Sequence, residues 1–563
     1  MQGLSHHTRK VRLDPRQPPP VHYYADNLLT LVGTVLDRYG DILTAEEQRF
    51  GEFVVALSVS GQRLLARLIG RFSGRPDAAI REDSIDYAEV DDVPAALAEL
   101  AGCGLIDRSP MMPPETIMRL LTRAELGEVF WELPGNRKDT KVDQVARILA
   151  ANPPCFCRWR VRRFVGWLRL TQVEVLDLYR LLFFGDRHQD LTTFVLRDLG
   201  VHRYEPVDLS RRSRQFPDRT TLDRYLEIAA VEEAGRALFP KRIAERQDGG
   251  LEPEERRRAV AALVDRLWDP LDNRMLERRR SRALNRLGRS LEREGDFDGA
   301  LACYARSGLA PARERRMRIL HRLGDGTGVE HLRASIRESP WSTLESDFAT
   351  RFRSRFRRRP APMVDLALTT AADRIEAYAL DQLTADGGVG WHLENNLPMG
   401  LFALAYWSWL FAPVEGAFVN AFQTGPVDLY WPDFFSSRED TCADPLDGPL
   451  KGRLRETAHA KEGVANRLFS WQRFTPSVAE AVIDAVPESD LRALLTIVRE
   501  DLGGRHSGFP DLTVVYGPGR YEFVEVKGPG DQLQIHQRLW IEALERRGLP
   551  VRVIRYRPIR TCA

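Results

Sequence analysis

Lysine is scarce in this chain. Of its 82 basic residues only seven are lysine (Lys10, Lys138, Lys141, Lys241, Lys451, Lys461 and Lys527), and 80 acidic residues hold the net charge at +2. That balance excludes a polycationic chain, so contact with any polyanion has to come from local patches. The arginine excess reads mainly as coding bias. The surviving lysines are therefore informative, because an ammonium is a compact, titratable charge and a guanidinium is not. Cysteine is sparse as well: Cys103, Cys155, Cys157, Cys303, Cys442 and Cys562 show no repeated CxxC or CxxH spacing. This argues against a disulfide scaffold or a structural zinc finger and fits a reducing compartment. Long apolar runs are missing too. The longest, Met399 to Val414, is shorter than the roughly 20 residues that span a bilayer, and the N-terminus has no apolar signal core. That run reads as a buried helix.

What is present is an ordinary globular composition, 43% hydrophobic and 29% charged over 563 residues, a length that favours about three to four domains. Residues 1–110 read as helix, short extended segment, helix and turn, the order of a winged-helix-like module. Residues 111–215 begin with two amphipathic helices around the polar loop of Asn136, Arg137, Lys138 and Lys141. Such a hairpin is like a SAP-type DNA-binding element, whose loop and helix N-terminal amides meet phosphates; the bland reading is a solvated turn. Residues 216–370 are helical and arginine-rich. The pattern Leu287-Gly288, Gly295-Asp296, Ala300, Tyr304 looks like one tetratricopeptide helix pair, with no convincing second copy. Arg278, Arg279, Arg280 and Arg282 fall along one helix, either a solvated face or a phosphate-binding surface.

The chemistry lies in residues 371–563. Leu512 to Tyr516 and Tyr521 to Val526 are β-rich runs around a Gly-Pro-Gly-Arg turn, a hairpin signal. A helix started by Asp531 and stopped by Gly548 follows, then a strand from Val551 to Tyr556. On this α/β core Asp511 opens one strand, while Glu525 and Lys527, two apart, share a face of the next. Two carboxylates on neighbouring strands offer hard oxygen ligands for Mg²⁺ or Mn²⁺, and the Val526 carbonyl offers another. A lysine there is placed to orient or deprotonate water or to balance charge on phosphorus.

The strings GFPDL, VEVKGPGDQL and QRLW strongly resemble the VRR-NUC nuclease domain. From about residue 20 onward the chain resembles the Fanconi-associated nuclease family in its bacterial form. YYADNLLTLVGTVL is similar to its N-terminal region, GNRKDTKVDQVARIL to its SAP segment, ALNRLGRSLEREGDFDGALACYARSG to its tetratricopeptide-type region, and GWHLENNLPMGLFALAYWSWLF to the start of its nuclease domain. The implied fold is multidomain, mainly α-helical in winged-helix-like, SAP-like and tetratricopeptide-like regions, then a C-terminal α/β PD-(D/E)xK, restriction-endonuclease-like nuclease domain. The resemblance makes Asp511, Glu525 and Lys527 catalytic, adds Glu394 as a further catalytic acid and metal ligand, and assigns Gln537 to positioning DNA or water. From the residues alone, an acid opening so apolar a helix needs a partner, which a metal could be; the bland reading is that Glu394 caps that helix.

The implied activity is that of a metal-dependent, structure-specific DNA nuclease, a phosphodiesterase I type hydrolase. It would act as 5′-flap endonuclease and 5′-to-3′ exonuclease in interstrand crosslink repair. One or two Mg²⁺ or Mn²⁺ ions would be held by Glu394, Asp511, Glu525 and Val526, and no organic cofactor is expected. The expected partner is branched or flapped DNA with a 5′ end, not a membrane, and the expected location is the bacterial cytoplasm at the nucleoid. Eukaryotic members carry a ubiquitin-binding zinc finger for which this chain has no Cys/His cluster. Lys138, Lys141, Arg278, Arg279, Arg280, Arg282, Arg505 and His506 are the candidates for holding DNA. Two rivals stay open: a junction resolvase or restriction-like endonuclease on the same core, and a non-catalytic junction-binding scaffold.

Overall fold

The computed structural model describes residues 23–72, 79–133, 140–185, 203–239, 252–354, 360–368 and 374–558. They form two compact units. One comprises the chain to Arg203 with 209–215 and 419–422, and the other comprises 204–208, 216–418 and 423–563.

The first unit opens on helices Tyr23–Tyr39, Ala45–Ala56, Val59–Phe72 and Val93–Gly102. Leu28, Leu31, Val32, Val35, Leu64, Leu65, Leu68 and Ile69, at helical spacing, are all buried, so one apolar stripe per helix builds this core. Three short strands follow, β1 (Ile80–Arg81), β2 (Ile106–Asp107) and β3 (Trp167–Leu170), antiparallel in the order β1-β3-β2. The third comes from far downstream of the other two. The first of the two amphipathic helices expected after residue 111 is two short ones, Pro114–Met118 and Arg123–Val129. Thr122 divides them: its hydroxyl accepts from Glu125 N–H and the Glu125 carboxylate accepts from Thr122 N–H, a capping box that starts a new helix. The second, Lys141–Ala151, begins with a similar box from Thr140 and Asp143. Helices Pro154–Phe164 and Val173–Phe184 and a short 3-10 helix at Arg211–Ser213 follow.

In the second unit, helix Arg274–Glu294 pairs with Phe297–Ala305, and Ala312–Leu323 pairs with Gly326–Glu338. Each turn has the form Gly-Asp-x-x-Gly. Gly295 and Gly324 end their helices at φ 82° and 81°, and Asp296 and Asp325 cap the next. A second helix pair therefore exists, marked by its turn and not by its helices.

The C-terminal sheet has five strands: β4 (Met363–Leu368), β5 (Val389–His392), β6 (Leu512–Gly517), β7 (Arg520–Lys527) and β8 (Val551–Pro558), in the order β4-β8-β7-β6-β5. β5, β6 and β7 are antiparallel neighbours, whereas β8 runs parallel to β7 and β4. The crossover from β7 to β8 carries helix Ile535–Arg546. It begins later than expected because Asp531 accepts from Gly528 N–H within the preceding turn. One sheet face packs Leu512, Val524, Val526, Ile554 and Tyr556 on helix Ile375–Thr384. The other packs Val515, Tyr521 and Phe523 into a large core shared with helices Asn396–Ala405, Leu450–Lys461, Pro476–Ala485 and Glu488–Glu500. The apolar run from Met399 lies in that core, broken into two helices at Tyr406. No described helix is long and apolar enough to cross a membrane.

A buried ion pair anchors this core. Arg438, 0% exposed, meets both carboxylate oxygens of Asp428 at 2.8 and 2.9 Å and donates to the Trp409 carbonyl at 2.7 Å. Arg274 joins Asp428 from the start of its helix. Asp428→Ala strands one fully buried guanidinium and releases another, and should lower stability by roughly 3–5 kcal/mol. Urea unfolding of variant and wild type checks this; a loss under about 1 kcal/mol, the scale of an exposed pair, would refute the anchoring role.

Candidate active site

Strand pairing sets the site. Leu512 faces Val524 in the antiparallel β6–β7 ladder, so the next position brings Asp511 across from Glu525. Glu525 is 0% exposed and neither of its oxygens accepts a well-directed hydrogen bond, although Oε1 lies 2.7 Å from Lys527 Nζ. Side chains two apart share a strand face, which is why the ammonium reaches the carboxylate. Burial, joined by the Asp511 charge, pushes the Glu525 carboxyl up to about 7 against the opposing pull of Lys527 and Gln537. Burial also raises Asp511. Its Oδ2 accepts from Val526 N–H at 2.8 Å, a bond that favours the charged form and fixes its aim.

Glu394 arrives from β5. It sits between that strand and helix Asn396–Ala405, and its N–H donates to the Asp511 carbonyl at 3.1 Å. Its φ of 47° is unusual for a non-glycine residue and marks strain held by the surroundings. It does not cap the helix, whose N-cap position belongs to Asn395; the Asn395 side chain instead accepts from Phe509 N–H, tying the loop before Asp511 to Glu394. Gln537 stands on the crossover helix. Its Oε1 accepts from Gln534 N–H at 2.9 Å, and the same side chain lies within hydrogen-bonding reach of Glu525. Gly508 lets loop and helix meet: at φ 90°, a Cβ there would lie 2.7 Å from the His536 backbone.

His392 was not among the sequence candidates. It pairs with Leu512 across β5–β6, and its Nε2 lies 2.9 Å from Glu394 Oε1. Donor atoms of His392, Glu394 and Asp511 lie within 4.8 Å of one another. Glu525 adjoins this trio without belonging to it. The signal was His-x-Glu in WHLE, legible only once β5 is known to be a strand beside β6.

The basic candidates divide. Lys138 lies outside the described residues. Lys141 donates to the Arg119 carbonyl at 2.6 Å. Arg280 is 2% exposed and spends its donors on Glu277 and the carbonyls of Leu267 and Arg306; a buried, saturated guanidinium cannot meet a phosphate at the surface, so it leaves the DNA-binding set. Arg505 leaves it for the same reason of access: it is 3% exposed and sits 5.1 Å from the Trp540 ring centroid. Arg279 pairs with Glu232 at 2.6 Å and covers the Tyr225 ring. Arg278 lies over Trp431, Arg282 is exposed, and His506 is exposed with Nδ1 against the Gly503 carbonyl.

A mixed sheet presenting two strand-borne carboxylates, an adjacent lysine and a third acid at its edge defines a nuclease of the PD-(D/E)xK class. Two family models match, "VRR-NUC domain" at residues 448–558 and "FAN1, HTH domain" at residues 22–107; His392 and Glu394 lie upstream of the first. The chain is similar to the Fanconi-associated nuclease 1 homolog of Pseudomonas aeruginosa, with 31% identity over 96% of each chain. It is similar to the rice homolog at 26% identity, covering 95% of this chain and 63% of that one. Among solved structures it is similar to paFAN1 bound to 5′-flap DNA with a gap, with TM-score 0.79, 29% identity, and coverage of 96% of this chain and 99% of that one. The chain belongs to the Fanconi-associated nuclease family, as the sequence resemblance implied.

The raised Glu525 proton affinity gives a signed prediction. Its folded value, about 7, exceeds the unfolded value of 4.5, so the folded, metal-free protein binds this proton more tightly. The stabilisation, on the order of 3 kcal/mol, is complete below the unfolded value and lost as pH rises through the folded one. Thermal midpoints of metal-free wild type should therefore fall more steeply from about pH 5 to 8 than those of Glu525→Gln. Equal slopes would remove Glu525 as the titrating group.

Proposed function

We propose that this nuclease hydrolyses phosphodiesters of branched DNA beside a 5′ flap, as a 5′-flap endonuclease and 5′-to-3′ exonuclease, and serves interstrand crosslink repair in the bacterial cytoplasm. The observation that carries the reading is the buried Glu525 carboxylate, without a well-directed hydrogen bond, between Lys527 and a second carboxylate. A buried carboxylate pair is unfavourable unless a cation or a proton neutralises it.

The residues fit a hard divalent cation. Asp511, Glu394, Glu525 and the Val526 carbonyl would hold one or two Mg²⁺ or Mn²⁺ ions, with His392 beside them as a further donor. The cation, when bound, supplies Lewis-acid polarisation of the scissile phosphate and stabilises the leaving oxygen. The chain's own groups do the rest. The Val526 N–H holds Asp511 in one orientation, and Gln537 braces Glu525 from the crossover helix. Lys527 Nζ, largely buried beside Glu525, donates to the attacking water and keeps it in line. Arg278, Arg282 and His506 would meet phosphates of the duplex, contacts that carry no base identity.

End-labelled 5′-flap, 3′-flap, duplex and four-way DNA, incubated with Mg²⁺, Mn²⁺ or EDTA, tests the reading: cleavage is expected at the 5′ flap with metal and not in EDTA. Paired cuts across the four-way junction would favour a resolvase, and tight binding with no product would favour a scaffold. Asp511→Ala should abolish most cleavage while DNA affinity in EDTA stays nearly unchanged; near-normal cutting by the folded variant sinks the assignment. Lys527→Arg keeps charge but replaces a compact donor with a planar fork. It should cut at least about tenfold more slowly in single turnover, a barrier rise of roughly 1.4 kcal/mol, and a wild-type rate would leave the residue only generic charge.

A further inference from the structure

Helix Pro154–Phe164, sequence PCFCRWRVRRF, has four arginines and no acid. Cys157 and Val161 seat it in a core with Ile117, Leu126, Phe130 and Ile148. The opposite side is aromatic and open: Trp159 is 54% exposed, Phe156 36% and Phe164 39%. Phe156 and Trp159 lie ring over ring at 6.0 Å and 26°. Arg163 stands 5.2 Å from the Trp159 centroid and Arg160 5.4 Å from that of Phe156. Two of the four cations are fixed from below. Arg160 pairs with Glu132, and Arg162 donates to the Arg108 carbonyl and the Ser109 hydroxyl. Arg158 and Arg163 make no ion pair or hydrogen bond among the described residues.

Two large rings in water forgo burial that a surface helix normally takes, and nothing in the nuclease chemistry uses them. The ring surface left in water, beside Arg158 and Arg163 that have no ion pair among the described residues, matches one kind of occupant. Unpaired bases stack on the rings while the phosphates linking them meet the cations. A duplex cannot use the rings, because its bases are stacked on each other and only sugar-phosphate edges are presented. An acidic protein partner would satisfy the arginines but leave the ring faces without their best match. We propose that this helix is a stacking platform for an unpaired DNA strand. The proposal deepens the flap-nuclease reading and rests on it for where such a strand comes from.

The test reads binding, in EDTA, so that cutting plays no part. Phe156→Ala/Trp159→Ala removes only exposed side chains and should melt within about 2 °C of wild type, since surface substitutions of this kind cost little stability. Its dissociation constant for a twenty-nucleotide oligo-dT should rise at least about tenfold, the loss expected from one to two stacked bases. Affinity for a blunt duplex of equal length should change less than threefold, on the order of a lost rim contact. The conservative Phe156→Tyr/Trp159→Phe, which keeps both rings, should bind oligo-dT within about threefold of wild type. Wild-type protein irradiated with bromodeoxyuridine-substituted oligo-dT should crosslink on the peptide carrying Trp159, a readout independent of how the variants fold.

An equal loss for strand and duplex, no loss for either, or crosslinks confined elsewhere would overturn the platform. So would binding of the helix face to anionic vesicles or to a second copy of the chain in preference to oligo-dT. Oligo-dT binding with no cleavage of any branched DNA would leave the platform and defeat the nuclease reading. Metal-dependent flap cutting without strand binding at this helix would do the reverse.

Discussion

The antiparallel pairing of β6 with β7 forces Asp511 and Glu525 to adjacent places on one sheet face, and the rest of the nuclease domain is arranged around the cost of holding them there. Two carboxylates in a desolvated site repel each other and are poorly hydrated. Lys527, two positions beyond Glu525, is the basic residue that its strand brings to that face, and the Val526 N–H supplies a dipole for Asp511. Neither offsets the burial that, with the Asp511 charge, pushes the Glu525 carboxyl up.

Every element touching the site bears on that one pairing. Phe523 and Tyr521 bury the same face of β7 that carries Glu525 and Lys527, locking the strand against the large helical core. Gly508 lets the loop into Asp511 press against the crossover helix that carries Gln537. Glu394 is held in a left-handed conformation by a hydrogen bond to the Asp511 carbonyl and by Asn395 reaching Phe509. The strained acid and the strand acid are thus positioned by one short stretch of chain, so motion of either would be felt by the other.

Arginine abundance has a different meaning here from the one its count suggests. Arg274, Arg280, Arg313 and Arg438 are used inside the protein, on Asp428, Glu277, Glu345 and backbone carbonyls. The planar fork, with five donors in fixed directions, suits it to such bidentate and carbonyl contacts. The arginines beside exposed aromatic rings on helix Pro154–Phe164 are not the densest run in the chain.

The sequence by itself determined the hairpin, the crossover helix and the strand after it, because alternating β-branched and aromatic residues, a glycine-rich turn and a helical apolar stripe are local signals. It also placed Glu525 and Lys527 on one face, since a spacing of two on a strand needs no knowledge of the rest of the fold, and the hairpin signal put Asp511 on the neighbouring strand. The family resemblance brought in Gln537, which no local pattern singles out, and decided for Glu394, an acid opening an apolar helix that local pattern alone left between a metal ligand and a cap. Only the tertiary structure decided the others. β4 and β5 are strands because β8 and β6 offer them partners, and β3 joins two strands far upstream in sequence; pairing across such distances leaves no periodic trace in four to six residues. The second helical pair was hidden because its repeat is kept in the turn, Gly324-Asp325 matching Gly295-Asp296, while the helix faces differ. His392 became a candidate ligand, and Arg280 and Arg505 ceased to be candidate DNA contacts, for one physical reason. Whether a charged or ligating group faces a partner, a core or solvent is fixed by what packs against it, and the packing neighbours are distant in the chain.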